Sequence, residues 1–185
     1  MENDEFRPSR RTLLGIFAAV GTVAAAPVYA AAPGFLRRAG EIRRVRMYSQ
    51  RTGESLDAIY YVDGKYIPEV LAEVTHFMRD WRQNESMAYD PRNLDILAAT
   101  LKLMDTDEPY LMISGYRTPQ TNRMLRGAAR DSYHMRAMAA DVRLRSRDIR
   151  QISGAAAACK GGGIGVYGRS NFVHMDCGPI RTWRG

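Results

Sequence analysis

The first half of the chain alternates between β-prone runs and segments whose apolar residues have helical spacing. Residues 45–67 hold two β-prone runs around the turn RTGES and a second turn at Asp63-Gly64, which predicts a hairpin or short meander. A helix is predicted to begin at Pro68 and a second one after Asp90-Pro91, because apolar residues then recur at steps of three and four. These apolar positions are Val70, Leu71, Val74, Phe77, Met78 and Trp81 in the first helix and Leu94, Leu97, Leu101 and Met104 in the second.

The second half reads as short strands separated by turns and brief helices. YLMISGYR, residues 110–117, predicts a buried strand that leads into a loop, and Thr118 is a suitable cap for a short helix after it. MAADVRL, IGVY and NFVHMD predict further strands, and a helix with Ser146 as its cap is predicted between them. This pattern predicts an α+β fold, with an antiparallel sheet and helices packed mainly on one side.

Composition favours a single soluble domain. The chain has 185 residues, of which 45% are hydrophobic and 25% are charged, so it can bury a core of ordinary size. We find no internal repeat and no interior linker. These features argue against disorder and against a fibrous protein.

The first 30 residues have the features of an export signal. Arg10 and Arg11 follow a serine and precede an uncharged apolar run from Leu13 to Val28, which indicates the twin-arginine route to the periplasm. Val28-Tyr29-Ala30 fits a cleavage site and predicts a mature domain of residues 31–185, without a stable membrane span. An uncleaved anchor is the alternative.

The charge of the chain narrows the choice of partners. The net charge is +7 and stays +7 after removal of residues 1–30, so an exported chain of this kind suits anionic cell-wall polymer or phospholipid head groups rather than nucleic acid. Much of the excess lies in RRAGEIRRVR within a predicted N-terminal arm, residues 31–46. This arm is either simply solvated or binds polymer. We expect the protein to be a monomer.

Two of the three histidines lie close to aspartates. His134 precedes Asp141 by seven residues, and His174 and Asp176 lie two apart in a predicted strand, where their side chains share a face. A catalytic zinc site needs about three such ligands and an open position for water. Each residue also has a purely structural explanation, and His76 is predicted to be structural because no ligand lies at metal spacing from it.

The order of three motifs supports the zinc site. SGYR, SYHMRAMAAD and GGGIGVYGRSNFVHMDCGPIRTW together resemble the zinc peptidases of bacterial cell walls that share a fold with D-Ala-D-Ala carboxypeptidases and the Hedgehog signalling domain. The resemblance implies that His134, Asp141 and His174 bind Zn²⁺. It also matches Ser132 and Asp176 to the family motif.

The same resemblance implies roles around the metal. Arg117 would lie at the substrate and stabilise carbonyl or carboxylate oxygen, although a structural salt bridge is the alternative. Ser132, Tyr116 and Tyr167 are predicted to bind substrate. Asp176 is predicted to be the catalytic base or, alternatively, to orient a ligand.

There are two departures from the family pattern, and the second weakens the choice of base. Ala137 stands where the family usually has glycine, and would be strained if that position requires a positive φ. Asn171 and Phe172 occupy positions where related carboxypeptidases have a catalytic side chain. Cys159 and Cys177 are either paired or free, and Cys177 should face away from the metal.

The activity implied is hydrolysis of peptidoglycan cross-links, either D-Ala to diaminopimelate or diaminopimelate to diaminopimelate. One alternative is a carboxypeptidase that trims a terminal D-amino acid. Another is a wall-binding module that keeps zinc without effective catalysis.

Overall fold

A computed structural model describes residues 40–185, which fold into one sheet and four α-helices. The predicted export signal and residues 31–39 of the basic arm lie outside the described residues. The strands are β1 (Ile42–Ser49), β2 (Ser55–Val62), β3 (Lys65–Tyr66), β4 (Tyr110–Ser114), β5 (Ala139–Arg143), β6 (Gly163–Tyr167), β7 (Phe172–Asp176) and β8 (Arg181–Arg184). The helices are α1 (Pro68–Phe77), α2 (Pro91–Leu103), α3 (Pro119–Met124) and α4 (Ile149–Cys159), with a 3₁₀ turn at Tyr133–Arg136.

The sheet is mixed, which corrects the prediction of an antiparallel one. Its strand order is β3-β2-β1-β4-β5-β7-β6-β8. The pairs β1/β4 and β6/β8 are parallel, and the others are antiparallel. Alternation of apolar and polar residues shows which side of a strand is buried, but it does not show the direction of the neighbouring strand. The coarser prediction of a mixed α and β fold is confirmed.

The predicted meander forms, but the basic arm ends earlier than expected. The turns after Ser49 and at Asp63-Gly64 connect β1, β2 and β3, and β1 begins at Ile42. Arg43 is therefore buried, with its guanidinium 2.7 Å from the carboxylate of Asp95 on α2. Residues 42–46 belong to the folded domain because their alternate side chains enter the core.

The helix starts follow local capping chemistry. Pro68 and Pro91 open α1 and α2, and the Asp90 side chain accepts a hydrogen bond from the backbone of Arg92. α4 corrects the prediction: its cap is Asp148, not Ser146. Asp148 and Gln151 form a reciprocal capping box.

The main core lies against one face of the sheet. Val173 and Met175 of β7 are buried on that face, where the hydroxyl of Thr100 on α2 is 3.8 Å from the Met175 sulfur. α2 also contacts α4, which covers β6 and β7. His174 and Asp176 alternate with these residues and face the opposite side. Within residues 40–185, we find no helix with the length and apolar character needed to cross a membrane.

Candidate metal centre

Two neighbouring strands and a short turn bring the predicted ligands together. Asp141 of β5 and His174 of β7 are direct antiparallel partners, so their side chains leave the same face of the sheet. His134 lies in the 3₁₀ turn that precedes β5, and the Ser132 hydroxyl caps this turn by accepting a hydrogen bond from the His134 amide at 3.3 Å. All three ligand side chains are buried.

The three side chains converge with the dimensions of a tetrahedral metal site. His134 Nε2 is 3.1 Å from both Asp141 Oδ1 and His174 Nδ1, and the last two atoms are 2.9 Å apart. Ligand atoms about 2.0–2.1 Å from zinc in a tetrahedron are separated by about 3.3 Å. The observed triangle is close to this size, and among the described residues only these three form such a group.

Hydrogen bonds on the far side of each ring fix the tautomers. His134 Nδ1 is 2.6 Å from the carbonyl oxygen of Gly115, which can only accept, so this nitrogen carries the proton and Nε2 has a free lone pair. His174 Nε2 donates to Asp176 Oδ2 at 2.9 Å, which leaves the Nδ1 lone pair free. Three electron-rich atoms then face one another, and a cation between them relieves their repulsion. The donor set therefore fits a metal ion.

The electrostatics of the cluster favour a bound cation. Burial lowers the pKa of His134, which keeps its ring neutral. Burial alone would raise the pKa of Asp141, but the two histidines and Arg117 hold it well below its usual range. Burial likewise opposes charge on His174, but Asp141 and Asp176 outweigh it and raise the pKa of His174. The cluster thus contains an ionised carboxylate and attracts positive charge.

Arg117 lies directly beside the cluster. Its guanidinium forms an ion pair with Asp141 Oδ2, the oxygen that faces away from the histidines. Its Nε donates to the Ser114 hydroxyl at 2.7 Å, and its backbone amide donates to the His134 carbonyl at 3.1 Å. The predicted arginine therefore contacts the Asp141 carboxylate, and its side chain is 12% exposed.

The structure places Asp176 on the far side of the His174 ring from the ligand triangle. It is fully buried, and its two oxygens accept hydrogen bonds from His174, Arg181 and the backbone amides of Gly163 and Gly178. Burial opposes its ionisation, but the bonds from His174 and Arg181 lower its pKa. This position does not fit the predicted catalytic base.

The other predicted site residues lie in three different settings. Tyr116 belongs to the buried core and is only 7% exposed. Ser132 is also buried and caps the turn that carries His134. Tyr167 is half-buried and stacks on Phe172, with ring centroids 4.5 Å apart. The sequence could not distinguish these three settings, because each residue lies in or next to one of the family motifs.

Three further expectations can be compared with the structure. Ala137 has φ 53° and ψ 37°, the left-handed conformation that glycine favours. Cys159 and Cys177 are both buried and unpaired, and Cys177 lies outside the ligand group. His76 is exposed and also lies outside that group.

Sequence reasoning missed three contributors to the surroundings of the site. These are the Gly115 carbonyl, the Arg181 guanidinium, and the indole of Trp183, whose ring centroid is 5.2 Å from that of His174. The spacing of Arg181 and Trp183 matches that of Gly163 and Gly165 in GGGIG. This shared spacing of two residues was the only sequence signal that could have linked Arg181 and Trp183 to the glycines beside the site.

A buried His, Asp, His triangle with tautomers fixed from behind and an arginine beside it is typical of metal-dependent hydrolases. Comparison with known proteins narrows this class. A family model described as peptidoglycan L,D-endopeptidase MepK matches residues 37–183.

Two similar proteins agree with the family model. The chain is 40% identical over 145 residues to peptidoglycan L,D-endopeptidase MepK of Escherichia coli K12, covering 76% of this chain and 80% of that protein. It is 33% identical over 141 residues to the probable MepK of Haemophilus influenzae, covering 72% and 75% of the two chains. The chain belongs to the MepK family of peptidoglycan L,D-endopeptidases. The sequence-based prediction of a murein endopeptidase is thereby confirmed.

Proposed function

We propose that this chain is a zinc-dependent peptidoglycan L,D-endopeptidase in which His134, Asp141 and His174 hold the metal. The observation that carries the proposal is the buried triangle of their ligand atoms, with sides of 2.9–3.1 Å. Three protein ligands leave one tetrahedral position for solvent or substrate, which is the arrangement of catalytic rather than structural zinc sites. The family membership supplies the reaction class.

The metal and the residues around it have separate roles in amide hydrolysis. Zinc, when bound, would polarise the scissile carbonyl and lower the pKa of a water molecule. Arg117 presents positive charge next to Asp141, where it stabilises negative charge that develops on the carbonyl oxygen or grips a stem-peptide carboxylate. Its bond to Ser114 and the bond of its backbone to His134 fix its direction.

Asp176 acts in this proposal by orienting His174. Its carboxylate holds the Nε2 proton, so that the Nδ1 lone pair faces the metal. Asp176 is fully buried behind the ring, so it holds a proton there and does not transfer one. This favours the orienting role over the role of general base.

The substrate side of the site is bordered by aromatic rings. Tyr167 and Phe172 stack, and the Trp183 indole donates to the Tyr167 hydroxyl at 3.2 Å. These side chains lie on the same face of the sheet as His174. We assign them to binding of the peptide strand, in place of Tyr116 and Ser132.

The stereochemical name of the relatives favours one of the two predicted bonds. An L,D-endopeptidase cuts between an L centre and a D centre, which describes the diaminopimelate–diaminopimelate cross-link. The D-Ala–diaminopimelate bond joins two D centres. We therefore propose the former as the substrate, in the periplasm after export through the predicted twin-arginine signal.

Digestion of purified sacculi tests this function. We expect mass spectrometry to show loss of diaminopimelate–diaminopimelate dimers, persistence of D-Ala–diaminopimelate dimers, and full inhibition by a zinc chelator. His134→Ala should release no product. A carboxypeptidase would release free D-amino acid and leave all dimers joined, and a wall-binding module would bind sacculi without changing them.

A further inference from the structure

The C-terminal strand β8 runs parallel to β6 at the edge of the sheet and carries two side chains toward β7. Arg181 and Trp183 lie two residues apart and therefore share a face. Their direct partners on β6 are Gly163 and Gly165. Those glycines in turn pair with Asp176 and His174 of β7, so two parallel rows of residues cross the three strands.

Both glycines are required because side chains from β8 must cross β6. Neighbouring strands are about 4.8 Å apart, so β8 and β7 are separated by about 10 Å. A Cβ atom added at Gly165 would lie 2.5 Å from Cε2 of the Trp183 indole. A Cβ atom at Gly163 would collide with the Arg181 guanidinium. The two glycines thus provide the space through which Arg181 and Trp183 reach the site.

Each crossing side chain reaches one member of the metal centre. Arg181 donates to both oxygens of Asp176, at 3.1 and 2.7 Å, and Asp176 holds Nε2 of His174. The Trp183 ring packs against the His174 ring at an angle of 54°, and its bond to Tyr167 fixes the plane of the indole. The guanidinium of Arg181 lies 4.8 Å from the centroid of the same indole, so the two side chains also support each other.

We propose that Arg181 and Trp183 are positioning residues for the metal ligand His174. Arg181 acts through the Asp176 carboxylate, and Trp183 acts by limiting rotation of the imidazole. The inference rests on the metal site proposed above. Partners behind a metal ligand typically contribute 10–100-fold to metal affinity, so we expect losses of about that size when either side chain is removed.

A double-mutant cycle between Gly165 and Trp183 tests the crossing directly. The measurement is the zinc dissociation constant of the full chain, obtained by competition with a chromophoric chelator. We expect Trp183→Ala and Gly165→Ala each to weaken zinc binding by about tenfold or more. Gly165→Ala should add nothing in the Trp183→Ala background, because the new methyl group then meets no indole. Trp183→Phe should restore most of the affinity.

Gly168→Ala is the matched control, since nothing lies within 4 Å of the added Cβ atom in the turn that follows β6. It should bind zinc like the wild type. Arg181→Gln should lose affinity, and Arg181→Lys should recover part of it. Thermal unfolding of each metal-free variant identifies any that fails to fold, and the comparison of Trp183→Phe with Trp183→Ala then carries the test.

Two results would overturn the inference. One is wild-type zinc affinity in Trp183→Ala and Arg181→Gln. The other is a loss in Gly165→Ala that is equally large with and without Trp183, which would mean that the methyl group disturbs the strand itself. If the wild-type chain bound no zinc, the proposed function would fail instead, so the two failures are distinguishable.

Discussion

At the scale of single residues, a substitution of Asp176 distinguishes two models of the site, one in which Asp176 orients His174 and one in which it is the general base. If it orients His174, Asp176→Asn should weaken zinc binding by about 10–100-fold and leave kcat at saturating zinc within about tenfold of the wild type. If it were the general base, kcat should fall by about 10²–10⁴-fold even with the site filled. Zinc titration combined with kcat measurements on cross-linked muropeptides distinguishes these outcomes.

Ala137 allows a test of backbone strain in the turn that carries His134. Its left-handed conformation costs about 1–2 kcal/mol. Glycine would relieve this cost, but it loses about 0.5–1 kcal/mol in chain entropy and about 0.8 kcal/mol from the buried methyl group. We therefore expect Ala137→Gly to change the free energy of unfolding by less than about 1 kcal/mol, measured by urea denaturation.

Lys160 provides the control for this substitution. It caps α4 with nearly the same angles, φ 52° and ψ 32°, but its side chain is exposed. Lys160→Gly should therefore stabilise the protein by about 0.5–1 kcal/mol, because strain is relieved and no buried group is lost. A large destabilisation by Ala137→Gly would show that the methyl group, rather than the backbone, determines the residue at this position.

The residue scale also shows which parts of the site the sequence could reveal. His174 and Asp176 were placed on one face correctly, because alternation in a strand is a local rule. The neighbours Arg181 and Trp183 were missed because they reach the site across β6, and this requires knowledge of a parallel pairing. The packing of Tyr116 in the core was not predicted either, because a residue next to a motif can point into the core.

At the scale of elements, the segment around Asp80 holds the loop that carries Arg117. The Asp80 carboxylate is 1% exposed and accepts hydrogen bonds of 2.9 Å from both the amide and the hydroxyl of Thr118. The amide of Tyr116 donates to the Met78 carbonyl at 2.7 Å. Arg117 lies between these two anchored residues, so its position depends on the segment after α1.

Asp80→Asn should destabilise the protein in a pH-dependent manner. Burial opposes ionisation of Asp80, but its hydrogen bonds lower its pKa, so the carboxylate stabilises the fold above its unfolded pKa of about 3.9. This stabilisation is lost as the pH falls below that value. We expect a deficit of about 1–3 kcal/mol at pH 7 that shrinks toward pH 3, measured by urea denaturation across this range.

Asp107→Asn is the control because the Asp107 side chain is 93% exposed. It should change the unfolding free energy by less than about 0.5 kcal/mol at either pH. A deficit in Asp80→Asn that stays constant from pH 7 to pH 3 would contradict the role assigned to the ionised carboxylate.

Elements with local signals were predictable from the sequence. The meander at residues 45–67 and the start of α2 follow from turn and capping residues. The start of α4 was misassigned to Ser146, although Gln151 three residues after Asp148 marks the capping box. The parallel pairings of β1 with β4 and of β6 with β8 were missed, because each joins strands that have other elements between them in the sequence.

At the scale of the whole molecule, metal binding should stabilise the fold. The ligands come from the 3₁₀ turn, β5 and β7, so an ion ties together parts of the chain that separate on unfolding. Free zinc at 100 times its dissociation constant should add about 2.7 kcal/mol to the unfolding free energy. Calorimetry should show a higher midpoint with zinc for the wild type and no shift for His134→Ala.

At this scale, the sequence indicated the class of reaction because its ligand motifs resemble those of a known enzyme family. It did not define the cross-link, which depends on the shape of the surface around Tyr167 and Trp183 that is proposed to bind the peptide. Shape of that kind arises from packing of several elements and has no local pattern in the sequence.

The central claim is a single metal ion held by His134, Asp141 and His174. Anomalous diffraction from crystals grown with zinc, recorded on both sides of the zinc absorption edge, tests it most directly. We expect one strong peak within about 2.0–2.2 Å of His134 Nε2, Asp141 Oδ1 and His174 Nδ1. A fully folded protein with no peak there, or with zinc bound only elsewhere, would contradict the account.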